Sequence, residues 1–110
     1  MLPEQCNTIL VNIKLLGFLR KWGKVISSQV EIQSNATVYD LLNQVAQDLG
    51  EEFRAALWDR SGHLHGGLEL ILNGHSIPAH QIKTVRITED SELAIIPIIE
   101  GGYSLLIASP

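Results

Sequence analysis

The four histidines are the side chains of this sequence best suited to bind a metal. His63 and His65 flank Leu64 in a loop bordered by glycines, and His75 and His80 follow later in the chain. Two histidines at positions i and i+2 can chelate a metal ion, but a stable site needs three or four ligands. No cysteine or carboxylate lies at a suitable spacing, so the sequence predicts surface histidines and no metal site.

Nucleophilic and acid–base catalysis also lack the residues that they require. Ser61 and His63 lie close together, but the strained Gly-x-Ser-x-Gly turn that exposes a nucleophile is absent. Adjacent carboxylates such as Glu51-Glu52 diverge instead of meeting at one substrate. The single cysteine, Cys6, has no basic neighbour to stabilise a thiolate, and there is no glycine-rich phosphate loop. We therefore predict no catalytic residue and no cofactor bound by the chain itself.

One segment near the C-terminus stands apart because it ends in two glycines. Residues 90–102 read DSELAIIPIIEGG, so an apolar strand leads into an isoleucine-rich segment and then into Gly101-Gly102. Since glycine has no Cβ atom, such a tail can pass through a narrow channel and bring its carbonyl close to another backbone. Chemistry at the carboxylate of the tail needs no catalytic side chain, which agrees with the absence of one.

The hydrophobic pattern predicts the elements that position this tail. Alternating apolar residues predict a first strand from Thr8, a turn over Arg20–Lys24 and a returning strand over Val25–Ile32. Apolar residues at helical spacing then predict an amphipathic helix that begins at Thr37, as part of a capping box, and ends at Gly50.

The second half of the chain predicts shorter elements. The predicted segments are further helical turns over Glu51–Trp58, a loop over Asp59–Gly67, a strand over Leu68–Leu72, a hairpin turn at Asn73-Gly74, a short strand at Ile77, an irregular segment over Ala79–Thr88 and a last strand over Leu93–Ile99. Together these elements predict an α+β roll with one main helix on a mixed sheet of four to five strands.

Length and charge restrict the kinds of partner. The 110 residues make one domain with a formal net charge of −4, which disfavours nucleic acid and anionic membranes. The N-terminus lacks a signal-peptide pattern and the longest apolar run is too short to span a bilayer, so we expect a soluble cytoplasmic protein. Residues 31–110 carry four basic and eleven acidic side chains. This acidic part of the chain would attract a basic surface of a partner protein.

The Pro-x-x-x-Gly-Gly ending, together with the helix and the first hairpin, resembles a family of ubiquitin-like β-grasp sulfur carriers. This family includes the small subunit of molybdopterin synthase and the sulfur carrier of thiamin synthesis. The resemblance extends from Ile9 to Gly102 and implies a β-grasp domain over residues 1–102. It implies that an adenylating enzyme of the ubiquitin-activating type uses ATP to activate the glycine carboxylate. Sulfur from a persulfide then replaces AMP, and the resulting thiocarboxylate delivers sulfur to a precursor held by a synthase large subunit.

The resemblance also implies roles for the tail residues. Gly102 would carry the adenylate and the thiocarboxylate, and Gly101 would keep the tail slim and flexible. The residues expected to guide partner docking are Pro97, Ile98, Ile99 and Glu100, although alternation in a strand would also bury one of the two isoleucines in the core. Molybdopterin or a tungsten-containing equivalent is the predicted destination of the sulfur; thiamin and sulfur-amino-acid synthesis stay open, because partners choose the acceptor.

Residues 103–110, YSLLIASP, depart from the family pattern because the double glycine should be the C-terminus. A protease would trim the chain after Gly102, as zinc-dependent deubiquitinase-like peptidases do for some relatives. Alternatively, Gly101-Gly102 is a turn and Tyr103–Ile107 forms an extra strand, or the domain binds partners without being activated. The spacing from Pro97 to the glycines favours trimming. Conjugation to lysines, in the manner of ubiquitin, would use the same tail chemistry.

Overall fold

A computed structural model describes residues 7–22 and 29–98 of the chain. Within these residues, seven strands and two α-helices alternate with two short 3₁₀ helices. In chain order they are β1 (Thr8–Leu15), a 3₁₀ helix (Gly17–Trp22), β2 (Gln29–Gln33), β3 (Ala36–Thr37), α1 (Val38–Leu49), α2 (Glu51–Leu57), β4 (Leu68–Leu72), β5 (His75–Ile77), a 3₁₀ helix (Ala79–Gln81), β6 (Arg86–Ile87) and β7 (Ser91–Pro97).

The described strands form a mixed sheet with the last strand near its centre. The order is β2-β1-β7-β4-β5, and β3 and β6 form a separate two-stranded pair. Strand β7 runs parallel to β1, with Val11 opposite Ser91, and antiparallel to β4, with Leu72 opposite Leu93. The neighbouring hairpins β1–β2 and β4–β5 are antiparallel. This arrangement confirms the predicted α+β roll with a mixed sheet and one main helix.

Local sequence signals account for the helices and the tight turn. The Thr37 side chain accepts a hydrogen bond from the Asp40 N–H, and the Asp40 carboxylate accepts one from the Thr37 N–H, as the predicted capping box requires. Gly50 has a positive φ of 104° and separates α1 from α2. Asn73 and Gly74 both have positive φ, the geometry of a type I′ hairpin turn.

The core lies between the two helices and one face of the sheet. Strands β1 and β7 contribute alternate side chains to it, because successive residues of a strand point to opposite faces. Completely buried side chains come from every layer; the largest include Phe53, Leu19, Leu41, Leu42, Leu57, Leu70, Ile87, Leu93 and Ile95. None of the helices in the described part of the chain is long and apolar enough to cross a membrane.

Two predicted segments were wrong in detail. Residues 20–22 of the predicted Arg20–Lys24 turn belong to the 3₁₀ helix, because Trp22 is buried with its ring edge-to-face on Phe53, 5.4 Å between centroids. The segment Ala79–Thr88, predicted to be irregular, contains a 3₁₀ helix and β6. Its two-residue strand is too short to show a period in the sequence.

The predicted ends of two strands also shift. The returning strand was predicted over Val25–Ile32, whereas β2 covers Gln29–Gln33 and residues 25–28 lie outside the described part of the chain. The last strand was predicted over Leu93–Ile99 and is observed from Ser91 to Pro97, with Ile99 outside the described residues.

Candidate functional site

Strand β7 directs the chain out of the centre of the sheet at Pro97. Leu93 and Ile95 of this strand are fully buried, so the element is fixed in the core. Pro97 lies opposite Leu68 of β4 and is half-buried, and Ile98 follows with 39% of its surface exposed. The segment that leaves the sheet is therefore paired with β1 as far as Ile95 and with β4 as far as Pro97. We call Pro97 and Ile98 the base of the tail.

Backbone hydrogen bonds hold the base of the tail and the strand residues just before it. The Ile98 N–H donates to the carbonyl oxygen of Gly67 at 2.6 Å, on the β4 side. On the β1 side, the Leu16 N–H donates to the carbonyl oxygen of Ile95 at 3.1 Å and continues the parallel pairing beyond β1. These contacts fix the direction in which the chain leaves the sheet.

Gly17 sets the space available to the proline at the base of the tail. Its φ is +61°, in the left-handed region, and a Cβ atom at this position would lie 2.5 Å from Pro97 Cγ and 3.1 Å from Pro97 Cδ. Real Cβ atoms essentially never come that close to another heavy atom. Glycine therefore satisfies two requirements at once, a left-handed backbone and close approach to the proline ring.

An apolar groove runs beside the base of the tail. It has a volume of about 300 Å³ and is lined by Phe18, Ala56, His65, Gly67, Leu68, Pro97 and Ile98. Phe18 is the most exposed of the large apolar side chains in the described residues, at 62%. His65 is the one ionisable side chain among the described residues that line the groove, so its surface suits contact with apolar side chains. We call it the tail groove.

The outer face of the sheet continues this apolar surface. Leu10 and Leu16 are exposed on the β1 side, and Ile96 and Ile71 are half-buried on β7 and β4. One ion pair crosses the face: Lys14 Nζ lies 2.8 Å from the carboxylate of Glu92. That hydrogen bond and the charge of the carboxylate raise the pKa of Lys14. The face combines apolar area with an exposed ion pair, as protein-binding surfaces commonly do.

The structure brings together two of the six predicted tail residues. Pro97 and Ile98 meet at the base of the tail, whereas the other four, Ile99, Glu100, Gly101 and Gly102, lie outside the described residues. The roles assigned to all six stay predictions.

Sequence reasoning missed several residues that surround the base. Gly17 and Phe18 follow β1, and His65 and Gly67 precede β4. Because β1 is paired in parallel with β7, the residues after the end of β1 lie beside the residues before the tail. The alternation of β1 does not show which strand it pairs with, so the sequence carried no direct signal for these residues.

The described residues contain few groups that could do chemistry. Across residues 7–22 and 29–98, no three His, Cys, Asp or Glu side chains lie close enough together to hold a metal ion. His63, His65, His75 and His80 are all exposed, as predicted. The site therefore consists of the anchored end of β7 and the apolar surface beside it.

Comparison of the sequence with protein-family models gives a match over most of the chain. The family is described as the ThiS family, and the matched residues are 13–102. The match therefore ends at Gly102, the second glycine of the predicted tail. A comparison with curated protein sequences gave no match.

Solved structures share the fold at low sequence identity. Small archaeal modifier protein 1 from Haloferax volcanii is 21% identical, with a TM-score of 0.68 over 84% of this chain and 99% of that one. The protein of that name from Methanosarcina acetivorans is 18% identical, with a TM-score of 0.67 over 86% and 98%. Molybdopterin converting factor subunit 1 from Pyrococcus furiosus is 16% identical, with a TM-score of 0.57 over 83% and 99%. These likenesses confirm the predicted β-grasp fold.

Proposed function

The chain belongs to the ThiS family of ubiquitin-like sulfur carriers, and from this membership we propose that it carries sulfur as a thiocarboxylate on Gly102. The observation that carries the proposal is the anchored exit of β7. The Leu16 N–H donates to the carbonyl oxygen of Ile95 on one side, and the Ile98 N–H donates to the carbonyl oxygen of Gly67 on the other. A tail that leaves a rigid sheet at a fixed point can be delivered to the active site of another enzyme. Gly101 and Gly102 then supply the slim end that such an active site accepts.

The proposed chemistry takes place at the carboxylate of Gly102 and uses partner enzymes for every catalytic group. The carboxylate attacks the α-phosphorus of ATP on an adenylating enzyme, which forms an acyl adenylate and releases pyrophosphate. The terminal sulfur of a partner persulfide displaces AMP to give an acyl disulfide, and a thiol cleaves its S–S bond. The thiocarboxylate that remains is the sulfur donor, and this chemistry requires no cofactor bound by the chain itself.

Removal of residues 103–110 is part of the proposal, because the carboxylate of Gly102 must be free to react. The match to the family model supports this step, since it ends at Gly102. A processing protease is therefore one expected partner. In the alternative, residues 103–110 form an extra strand and the domain is an interaction module that is never activated.

The tail groove and the outer face of the sheet are the surfaces that we propose for partner docking. Phe18 and Ile98 expose apolar area within reach of the tail, and Leu16 continues it onto the sheet. Pro97 and Ile98 would therefore act in docking by lying next to the partner while the tail enters its active site. The residues Ile99 and Glu100 would continue that contact.

The identity of the sulfur acceptor is the most specific part of the proposal. A molybdopterin precursor held by a synthase large subunit is the acceptor that we favour, supported by the likeness to molybdopterin converting factor subunit 1. A second candidate function is protein modification, which the likeness to two small archaeal modifier proteins favours. In that case the activated Gly102 forms an isopeptide bond with a lysine in place of a thiocarboxylate.

Intact mass measurement of the protein purified from its own host tests the proposal. We expect a species that ends at Gly102, with a fraction heavier by the difference between sulfur and oxygen. Trimmed chains found only as lysine adducts would favour the modifier function. A chain that always extends to Pro110 would overturn the carrier proposal and support the interaction module.

Reconstitution separates processing from activation. Chains of residues 1–102 and 1–110 are each incubated with the ubiquitin-activating-type enzyme of the same host, and ATP–pyrophosphate exchange is measured. We expect exchange with residues 1–102 and none with residues 1–110, because only the shorter chain ends in a glycine carboxylate. Equal exchange with both chains would contradict the requirement for trimming, and none with either would contradict activation.

A further inference from the structure

A second cavity lies between the start of α1, the loop before β4 and the 3₁₀ helix Ala79–Gln81. Its volume is about 340 Å³, within the range of small-molecule sites. None of the residues that line it lines the tail groove. The larger lining residues fall into two groups, an apolar group of Tyr39, Leu64 and Ile82 and a group of hydrogen-bond donors comprising His63, His80 and Lys83. We call it the α1 cavity.

Backbone hydrogen bonds hold the walls of the α1 cavity in place. The Tyr39 N–H donates to the carbonyl oxygen of Ile82 at 2.8 Å and ties α1 to the segment after the 3₁₀ helix. On the opposite wall, Asp59 Oδ1 accepts hydrogen bonds from the backbone N–H groups of His63 and Ser61, at 3.0 and 2.8 Å. The bond from His63 is the main cause of the lowered pKa of Asp59. The cavity is therefore formed before any ligand arrives.

The chemistry of the lining is apolar on one side and electropositive on the other. Leu64 and Ile82 are buried and present aliphatic surface, and the Tyr39 ring adds an aromatic surface. Lys83 Nζ lies 4.9 Å from the centre of that ring. None of the described residues that line the cavity carries a carboxylate, although the Asp59 carboxylate lies next to one wall and accepts a hydrogen bond from the His63 N–H. A cationic side chain without a carboxylate beside it favours an anionic ligand.

We propose that the α1 cavity binds a small ligand that joins a planar aromatic ring to a phosphate group. The ring would pack mainly against the half-buried Tyr39 ring, which would lose exposed apolar area on binding. The buried Leu64 and Ile82 would form the apolar floor beside it. The phosphate has several acceptor oxygens and would lie at the rim. There the Lys83 ammonium supplies a charge, and the imidazoles of His63 and His80 supply N–H donors. This site is independent of the tail, so its test does not depend on the sulfur-carrier proposal.

An NMR titration of the ¹⁵N-labelled 110-residue chain tests the site, with AMP as the probe. We expect saturable shifts of the backbone amides at residues 62–64 and 79–83. Adenosine and inorganic phosphate, which each carry half of the proposed ligand, should bind about tenfold more weakly or worse. Shifts confined to other parts of the chain, or no saturable shifts, would overturn the proposal. Phosphate or adenosine binding as tightly as AMP would overturn it as well. Either result would mean that the cavity recognises only the phosphate or only the nucleoside, and not the two together.

A pair of matched variants tests whether the charge of Lys83 contributes to AMP binding. Lys83→Gln should weaken AMP binding about tenfold, the usual effect of losing one hydrogen bond to a charged group. Arg60→Gln removes the same charge from an exposed residue of the loop before β4 that does not line the cavity, and should change the affinity less than about twofold. Equal weakening by both substitutions would mean general charge attraction and would contradict a specific site.

Discussion

Substitution of Gly17 by alanine should destabilise the domain more than any other glycine-to-alanine change in the described residues. The left-handed φ of +61° costs an alanine about 1–2 kcal/mol. The new Cβ atom would also lie 2.5 Å from Pro97 Cγ. The proline ring is rigid and belongs to the central strand, so we assign this contact the usual cost of overpacking, about 1–3 kcal/mol. The sum is about 2–5 kcal/mol, a large part of the stability of a typical domain.

Two control glycines separate the cost of the left-handed backbone from the cost of the contact with Pro97. Gly62 has a φ of +83° with no heavy atom within 4 Å of an added Cβ, so Gly62→Ala should cost only the conformational part, about 1–2 kcal/mol. Gly66 has neither a positive φ nor a close neighbour, so Gly66→Ala should change the free energy of unfolding by less than about 0.5 kcal/mol. Urea denaturation measures all three variants.

A double-mutant cycle with Pro97→Ala tests the contact itself. Removal of Cγ and Cδ leaves Pro97 Cβ 3.9 Å from the new atom, an ordinary van der Waals distance. The double variant should therefore recover about 1–3 kcal/mol relative to the sum of the single changes. If Gly17→Ala costs no more than Gly62→Ala, or if the cycle shows no coupling, the contact between the first turn and the base of the tail does not constrain the fold.

Four further changes have defined outcomes. In a chain of residues 1–102, Gly102→Ala should leave urea unfolding unchanged and abolish ATP–pyrophosphate exchange by the activating enzyme; retained exchange would sink the carrier proposal. Phe18→Ser should weaken binding to that enzyme about tenfold in calorimetry, and because the ring is 62% exposed the free energy of unfolding should change by less than about 1 kcal/mol; unchanged affinity would exclude Phe18 from the interface. Thr37→Ala should cost about 1 kcal/mol in urea unfolding through loss of the helix cap, whereas Thr84→Ala, at an exposed hydroxyl, should cost less; equal costs would argue against the cap. Asp59 has a folded-state pKa below 3.8, so the stability that its ionisation provides is full above that pH and is lost as the pH falls through the folded value. Asp59→Asn should flatten that acid loss in urea titrations, and identical profiles for the two proteins would refute this account.

The elements that sequence reasoning predicted well are those specified by neighbouring residues. The capping box of Thr37 and Asp40, and the turn at Asn73-Gly74, each need only a few adjacent residues, and both occur as predicted. The apolar stripe of α1 repeats at a period that a single helix fully determines. Such features depend on chain geometry alone and can be read without knowing what the element packs against.

The contacts that sequence reasoning missed depend on residues far apart in the chain. Ile82 and Ile87 are buried in the core, yet they lie in a segment too short and irregular to show a period. Gly17 looks like an ordinary glycine after a strand until β1 and β7 are paired in parallel. Only that pairing brings it against Pro97, and the relevant distance cannot be read from either segment by itself.

The central position of β7 suits the function that we propose for the tail. A strand at the edge of a sheet is held on one side only, so a partner that draws the tail into its active site could pull the edge strand away. Strand β7 is bonded to β1 on one side and β4 on the other, and its Leu93 and Ile95 are completely buried. Separating it from the sheet would break two hydrogen-bonded ladders and expose the core. The fold would therefore keep β7 in place when a partner pulls on the chain at Pro97. In the proposed function the partner enzymes supply the catalytic groups, so this chain has to keep its last strand anchored while its reactive end enters another active site.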